Sequence, residues 1–350
     1  MEARTPPSAE RKAFYGKIDG LHLAPLWEAL HLLVTQQPQT PCVPYVWHYA
    51  QVRGHLMESG QLIGAQEAER RVLILENPGM PGQGCVTRTL FAGLQLVLPG
   101  EVAPSHRHVQ TALRLIIEGH HAYTAVEGER IPMERGDFII TPAWAWHEHG
   151  NDTSQPMVWL DGLDIPMVRM FDAGFSEKNP QGRQLETRPS GDSRVRYGNN
   201  LKPVTSGAHA ARPVQAYPLW HYPYSRSREV LEQMRQAQEW HPHFGLKMEF
   251  TNPVDGGPAM PTISAFIQLL PKGFASKASR STDGTVIAVL EGRGTTYVGD
   301  QRLDWGPNDV LVVPSWHTLR HQAREDSVLF SYSDRGVQQK LGLWREELLD

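Results

Sequence analysis

Residues 93–119, GLQLVLPGEVAPSHRHVQTALRLIIEG, and residues 136–151, GDFIITPAWAWHEHGN, decide how this chain is read. Both consist of short apolar runs closed by glycine or proline, the texture of strands joined by tight turns. The first holds Gly100, His106, His108 and Gly119; the second holds Gly136, Pro142, His147 and Asn151. Side chains at i and i+2 of a strand share a face, so His106 and His108 point the same way. His147 reaches the same wall from another strand, beyond a Gly–Pro turn. Three imidazoles converging in this way are a nitrogen ligand set for a transition metal. A lone H-x-H among 16 histidines would be ordinary surface or core histidine. The ordered spacing within strand-rich sequence is what singles these three out.

Outward from this stretch the same texture continues in VLILEN, TLFAGLQLVLPG, DFIITP and MVWLDGLDIP, and it returns after Pro261 in TISAFIQLLP, TVIAVLEG, GTTYVG, NDVLVVP and SVLFSYSD. The two blocks are copies of one pattern. Gln95 and Gln268, Gly100 and Gly273, and Gly119 and Gly292 recur at an offset of 173 residues, and DFIITPAW answers DVLVVPSW at 172. In the second copy the triad becomes Ser279, Ser281 and Leu319, none a serviceable ligand, which predicts one metal per chain; His317 and His321 read as out of register. Before the first block, Leu21, Leu23, Leu26, Trp27, Leu30 and Leu33 form a helical stripe with Pro25 at its start or bend, and GAQEAERR reads as a second short helix. Residues 166–260 are Pro-, Gly- and Arg-rich, then helical in SREVLEQMRQAQEW. The expected fold is all-β: an N-terminal helical arm at 1–71, a metal-binding barrel at 72–170, a connector with a helix at 171–260, and a second barrel without its metal at 261–350.

Composition removes other classes. The chain has 350 residues, a formal net charge of −4 and two cysteines. That excludes a disulfide framework, a cysteine zinc module and a basic nucleic-acid footprint. No apolar run approaches a membrane span, and the opening MEARTPPSAERK lacks a signal core. The expectation is a cytoplasmic protein with neither membrane nor nucleic acid among its partners.

The order Gly–His–His–Gly, then Gly–Pro–His–Asn, resembles the two motifs of the cupin superfamily, where a glutamate ligand usually stands at the position held here by Ala112. Beyond that, RRVLILENPG, ALRLIIEG, WLDGLDIP, TNPVDGGPAMPTISAF, RSTDGT, PSWHTLRH and DRGVQQKLGLWRE, with the segments quoted above, resemble the bicupin gentisate 1,2-dioxygenases and their salicylate- and hydroxynaphthoate-cleaving relatives. The likeness covers nearly the whole chain. It implies two double-stranded β-helix (jelly-roll) barrels, Fe(II), and dioxygen-dependent ring cleavage of an aromatic acid with an ortho hydroxyl, gentisate giving maleylpyruvate. It also implies a homo-oligomer, a tetramer, assembled through the N-terminal arm. Leu319, where the family often has histidine, departs from the pattern. Iron suits oxygen activation and zinc does not, although imidazoles alone would also accept manganese, copper or nickel.

Arg114, two residues past Ala112, faces the same interior and suits a substrate carboxylate through its two-pronged fork. Arg70 and Arg71 both enter the VLILEN strand; the resemblance gives one of them to the substrate, and Arg70 is the choice. His149, two beyond His147, is either a substrate-binding group that moves a proton or a structural histidine. Along TLFAGLQLVL the odd positions Phe91, Gly93 and Gln95 read as pocket wall, with Gly93 leaving space. The resemblance associates Asp161 with the far hydroxyl of gentisate. Trp144, Trp146 and Trp159 are cavity or core residues. Competing readings are a salicylate or 1-hydroxy-2-naphthoate dioxygenase, a non-catalytic aromatic-acid-binding cupin, and a metal-dependent isomerase or decarboxylase.

Overall fold

Alternation along three adjacent strands sets up the architecture. In Phe91–Val97, Ala112–Glu118 and Met157–Leu163, one face carries Val97, Ile116, Met157 and Trp159 into a barrel interior. The opposite face carries Leu94, Leu96, Leu113, Leu115, Val158 and Leu160 into a second apolar core. Both faces are covered by other parts of the fold, so nearly every residue of these strands is buried. The computed structural model describes residues 6–200, 203, 217–237 and 240–350. The first five residues, much of the expected connector between 201 and 216, and the end of its expected helix at 238–239 lie outside them.

Each barrel is two facing antiparallel sheets. In the first, a six-stranded sheet runs 221–222, 138–141, 112–118, 157–163, 91–97, 72–74, and a five-stranded sheet runs 176–178, 102–108, 147–150, 123–126, 129–132. The second repeats this: 45–47, 310–313, 285–291, 327–333, 264–270, 246–249, facing 301–305, 294–298, 319–323, 279–281, 346–348. The six-stranded sheets supply both sides of the shared core, in which Leu94, Leu113 and Leu160 belong with Ala265, Phe330 and Tyr332. Gly162 permits this approach: a Cβ there would lie 2.7 Å from the Tyr332 ring. The Tyr332 hydroxyl donates to the Phe91 carbonyl at 2.9 Å.

The expected segment boundaries require correction. Two compact units are found, Met1–Gln39 and Thr40–Asp350, so residue 71 is not the limit of the arm. Tyr45–Trp47 pairs with Val310–Val313 of the second barrel, and a helix, Tyr49–Leu62, follows within the stretch expected to be helical. The connector is likewise shared out: Ser176–Lys178 and His221–Tyr222 complete the first barrel, and Leu246–Glu249 completes the second. Within the first unit, helices Ala9–Asp19 and Leu26–Leu33 are tied by the Arg11–Glu28 ion pair at 2.8 Å, and Pro25 precedes the second helix. The Leu26, Trp27, Leu30 and Leu33 side chains are exposed. Among the described residues, no helix is long and apolar enough to cross a membrane.

Candidate metal centre and active site

His106 and His108 stand on Val102–His108, and His147 is the first residue of His147–Gly150, directly opposite His106. The three offer ligand nitrogens that all lie within 4.8 Å of one another, and no other such group of three or more His, Cys, Asp or Glu side chains occurs among the described residues. Backbone carbonyls orient the rings: His108 Nδ1 bonds to the Gln110 carbonyl at 2.9 Å and His147 Nδ1 to that of Ala145 at 3.0 Å. A ring whose Nδ1–H is held this way presents a bare Nε2 to a metal. Burial, reinforced by the charge of Arg70, pulls the His106 pKa down to about 2; burial, ahead of the charges of Arg114 and Arg70, pulls His108 down to about 4, and it takes His147 well below the ordinary histidine value. All three are therefore neutral imidazoles at physiological pH, the ligand form. Ala112 adds no carboxylate. The residues present fit a divalent metal with three protein ligands and coordination positions left open.

A cavity of about 510 Å³ opens on this triad, lined by His106, His108, His147, Arg70, Arg114, Gln95, Asp161 and Phe91, with Val72, Ile74, Leu163 and Ile165 as apolar wall. Arg114 is buried, and its Nε lies 3.5 Å from Asp161 Oδ1. The two face each other because Asp161 pairs in register with Arg114 on one side and with Gly93 on the other. Arg114 Nη1 donates to the Thr141 hydroxyl. Its Nε, like Gln95 Nε2, is a buried donor without a hydrogen-bond acceptor. Burial pushes the Asp161 carboxyl up to about 6 against the pull of Arg114, and lowers Arg70 to about 9 with Arg114's charge adding to the effect. Two guanidiniums thus face one carboxylate, leaving a cavity of positive character beside a metal site. An anion with oxygens to spare is what such a pocket favours.

Arg71 takes no part: it forms a two-pronged pair with Glu101 at 2.5 and 2.8 Å, so Arg70 is the one at the cavity. Three expected pocket residues are not in the lining. Gly93 does not leave space, because Val72 fills it; a Cβ there would lie 2.5 Å from Val72 Cγ1. Trp159 is fully buried behind the wall and donates to Asp161 Oδ1 at 3.0 Å. His149 lies beneath the triad, 2.7 Å from Thr124 Oγ1, with its Nε2 buried and without a hydrogen-bond partner. Trp144 and Trp146 flank the Arg107 guanidinium at 4.5 and 4.6 Å and do not line the cavity. His321, expected out of register, pairs with Thr296 as His149 does with Thr124. The apolar wall escaped the sequence reading because Ile74 and Ile165 reach the cavity only through long-range strand pairing and a helix turn.

Residues 93–163 match the cupin domain family. The chain is 55% identical over 337 residues to gentisate 1,2 dioxygenase 1 of Aquipseudomonas alcaligenes, covering 96% of each. It is 35% identical to a 5-aminosalicylate 1,2-dioxygenase of a Comamonas species, covering 96% of this chain and 91% of that one. Among solved structures, salicylate 1,2-dioxygenase from Pseudoaminobacter salicylatoxidans, crystallised with gentisate, superposes with a TM-score of 0.89 at 31% identity, covering 99% of this chain and 96% of that one. With two cupin barrels, one of them carrying a histidine triad under a positively charged cavity, this chain belongs to the gentisate 1,2-dioxygenase family of ring-cleaving oxidoreductases.

Proposed function

We propose that the protein uses Fe(II) held by His106, His108 and His147 to cleave gentisate with dioxygen, giving maleylpyruvate. The observation that carries this reading is the pairing of a neutral three-histidine site with two arginines, Arg114 buried and Arg70 part-buried, at one cavity. Ferrous iron would supply one-electron chemistry toward dioxygen and Lewis acidity toward chelating oxygens. The residues do the positioning. Arg114 donates two hydrogen bonds to the substrate carboxylate, and Arg70 completes its neutralisation, so that the ring carbon bearing the carboxylate is presented in one orientation. Asp161, with its raised pKa, accepts from or donates to the hydroxyl opposite the chelating one, and Gln95 Nε2 donates to a substrate oxygen. His149, buried beneath the triad and kept neutral by that burial, would act without touching substrate, steadying the strand that carries His147 through its bond to Thr124. Phe91, Ile74, Leu163 and Ile165 exclude water from the ring. Both atoms of dioxygen enter the product, and the bond between the carboxyl-bearing and hydroxyl-bearing carbons is broken.

Salicylate lacks the second hydroxyl, so binding it would forgo the hydroxyl contact to Asp161. Oxygen uptake by iron-reconstituted protein, with gentisate and salicylate side by side, tests the reading. Gentisate is expected to be the better substrate; equal kcat/KM would remove Asp161 from hydroxyl recognition. Turnover that continues without oxygen would point to an isomerase or decarboxylase instead. Metal analysis is expected to give one iron per chain, and two tightly held irons would overturn the assignment. We further propose a cytoplasmic homotetramer. The exposed Leu26, Leu30 and Leu33 and the free, buried Cys42 and Cys85 support it, and sedimentation of the full chain against a Leu30→Lys variant tests the assembly.

A further inference from the structure

Arg70 sits in a short link between the one-turn helix Ala65–Ala68 and the strand Val72–Ile74. The residue that turns the chain there is Glu69, with φ 54° and ψ −49°, a conformation that side-chain-bearing residues adopt only when their surroundings impose it. Lys178 provides the restraint: its Nζ lies 2.5 Å from Glu69 Oε1. Lys178 ends the strand Ser176–Lys178 and stands opposite His106 in register. The tie therefore runs from the edge of the metal-ligand strand to the residue immediately before Arg70. The Arg70 guanidinium, so directed, donates to the Glu69 carbonyl at 2.7 Å and the Pro104 carbonyl at 2.9 Å and reaches the His106 ring. A second cavity, of about 230 Å³, lies on its other side, lined by Gln66, Glu69, Pro104, Ser105, Lys178 and Asn179. Arg70 and His106 are the residues common to the two cavities, so Arg70 is the partition between them.

We propose that Glu69 is a positioning residue: its ion pair with Lys178 holds Arg70 at the substrate cavity and sets substrate affinity. The Glu69 and Lys178 side chains are 57% and 76% exposed, and exposed pairs add little to global stability. Their effect falls on the direction of the Arg70 turn. The inference rests on Arg70 contacting the substrate carboxylate.

The test uses iron-loaded full-length protein with Glu69→Gln, Lys178→Met, the double variant, the charge-swapped Glu69→Lys/Lys178→Glu, and Arg70→Met. Gentisate KM, and the Kd from anaerobic titration, are expected to rise about 3- to 10-fold in Glu69→Gln and in Lys178→Met, with kcat within about twofold. The double variant should be no worse than either single one. The charge swap should recover most of the affinity, and Tm should move by less than about 2 °C throughout. If Arg70→Met raises KM and Glu69→Gln and Lys178→Met do not, the positioning role is overturned and the reading of Arg70 stands. If Arg70→Met leaves KM and Kd unchanged, that reading fails and this inference with it. A fall in Tm together with kcat, unrelieved by the charge swap, would make the pair structural and overturn the proposal. Lys178→Met also probes the pair from the other side should Glu69→Gln fail to fold.

Discussion

His149 in the first barrel and His321 in the second stand at the same point of the repeat, each hydrogen-bonded through Nδ1 to a threonine, Thr124 at 2.7 Å and Thr296 at 2.8 Å. Each pair is directly opposed on neighbouring strands. The second barrel keeps this pair although Ser279, Ser281 and Leu319 replace the triad. The threonine–histidine bond is therefore part of the barrel's own construction, common to both copies.

The two histidines are expected to separate in mutagenesis. His149→Gln and His321→Gln should each cost about 1–3 kcal/mol of stability, because each removes a buried threonine–histidine hydrogen bond. Only His149→Gln should lower kcat/KM, by roughly 10- to 100-fold with iron content kept. Thermal unfolding, metal analysis and steady-state kinetics on the same preparations check this, and equal kinetic silence of both variants would confine His149 to a structural part.

Arg114→Met should keep iron and lose kcat/KM by roughly 30- to 1000-fold, about 2–4 kcal/mol for a charged hydrogen-bonded contact in a shielded pocket. The protein should survive the change, because Asp161, already raised to about 6 by burial, can take up a proton once its partner is gone. Arg114→Lys should recover part of the activity, since an ammonium cannot reproduce the planar fork. A stable, iron-loaded Arg114→Met enzyme with unchanged kcat/KM would remove Arg114 from the site.

Asp161 also predicts a pH dependence of stability in metal-free protein. Its folded pKa of about 6 lies above the unbound value of 3.8, so folding favours the protonated form. This contribution is fully present below pH ~4 and is lost as pH rises through ~6, up to about 3 kcal/mol in all. Denaturant titrations of wild type and Asp161→Asn between pH 4 and 7 should therefore diverge, with wild type losing stability relative to the variant as pH rises. Parallel curves would mean that Arg114 holds the carboxylate ionised throughout.

Gly93→Ala should be felt through Val72, whose Cγ1 would lie 2.5 Å from the new Cβ, and through Phe91 Cζ at 3.1 Å. Overpacking of this kind costs about 1–3 kcal/mol, and it would push Val72 toward the cavity it lines. Gly93→Ala/Val72→Ala should restore both stability and gentisate KM to near wild type. Failure of the second substitution to rescue the first would place the strain elsewhere.

The histidine triad was legible because strand periodicity and turn residues put His106, His108 and His147 on one wall whatever the rest of the chain does. Arg114 was legible for the same reason, being two residues along the strand from Ala112. Arg70 and Arg71 were not separable by alternation, since both precede the strand Val72–Ile74; the Arg71–Glu101 pair decides between them. Gly93 misled because a missing side chain reads as space, yet the neighbouring strand brought Val72 into it.

Local order in the chain thus carries the duplicated barrel, the triad, the absence of a second triad and the inward face of each strand, all of which follow from a period of two and the placing of glycine and proline. Tertiary structure alone closes the barrels with distant segments: Tyr45–Trp47 on the second, and Ser176–Lys178 and His221–Tyr222 on the first. It alone makes the cavity's electrostatics, because the pKa values of Asp161 and Arg70 are set by burial and by a mutual approach of charges from separate parts of the chain. Desolvation and Coulomb energy depend on distances across the fold, and no pattern along the chain encodes those.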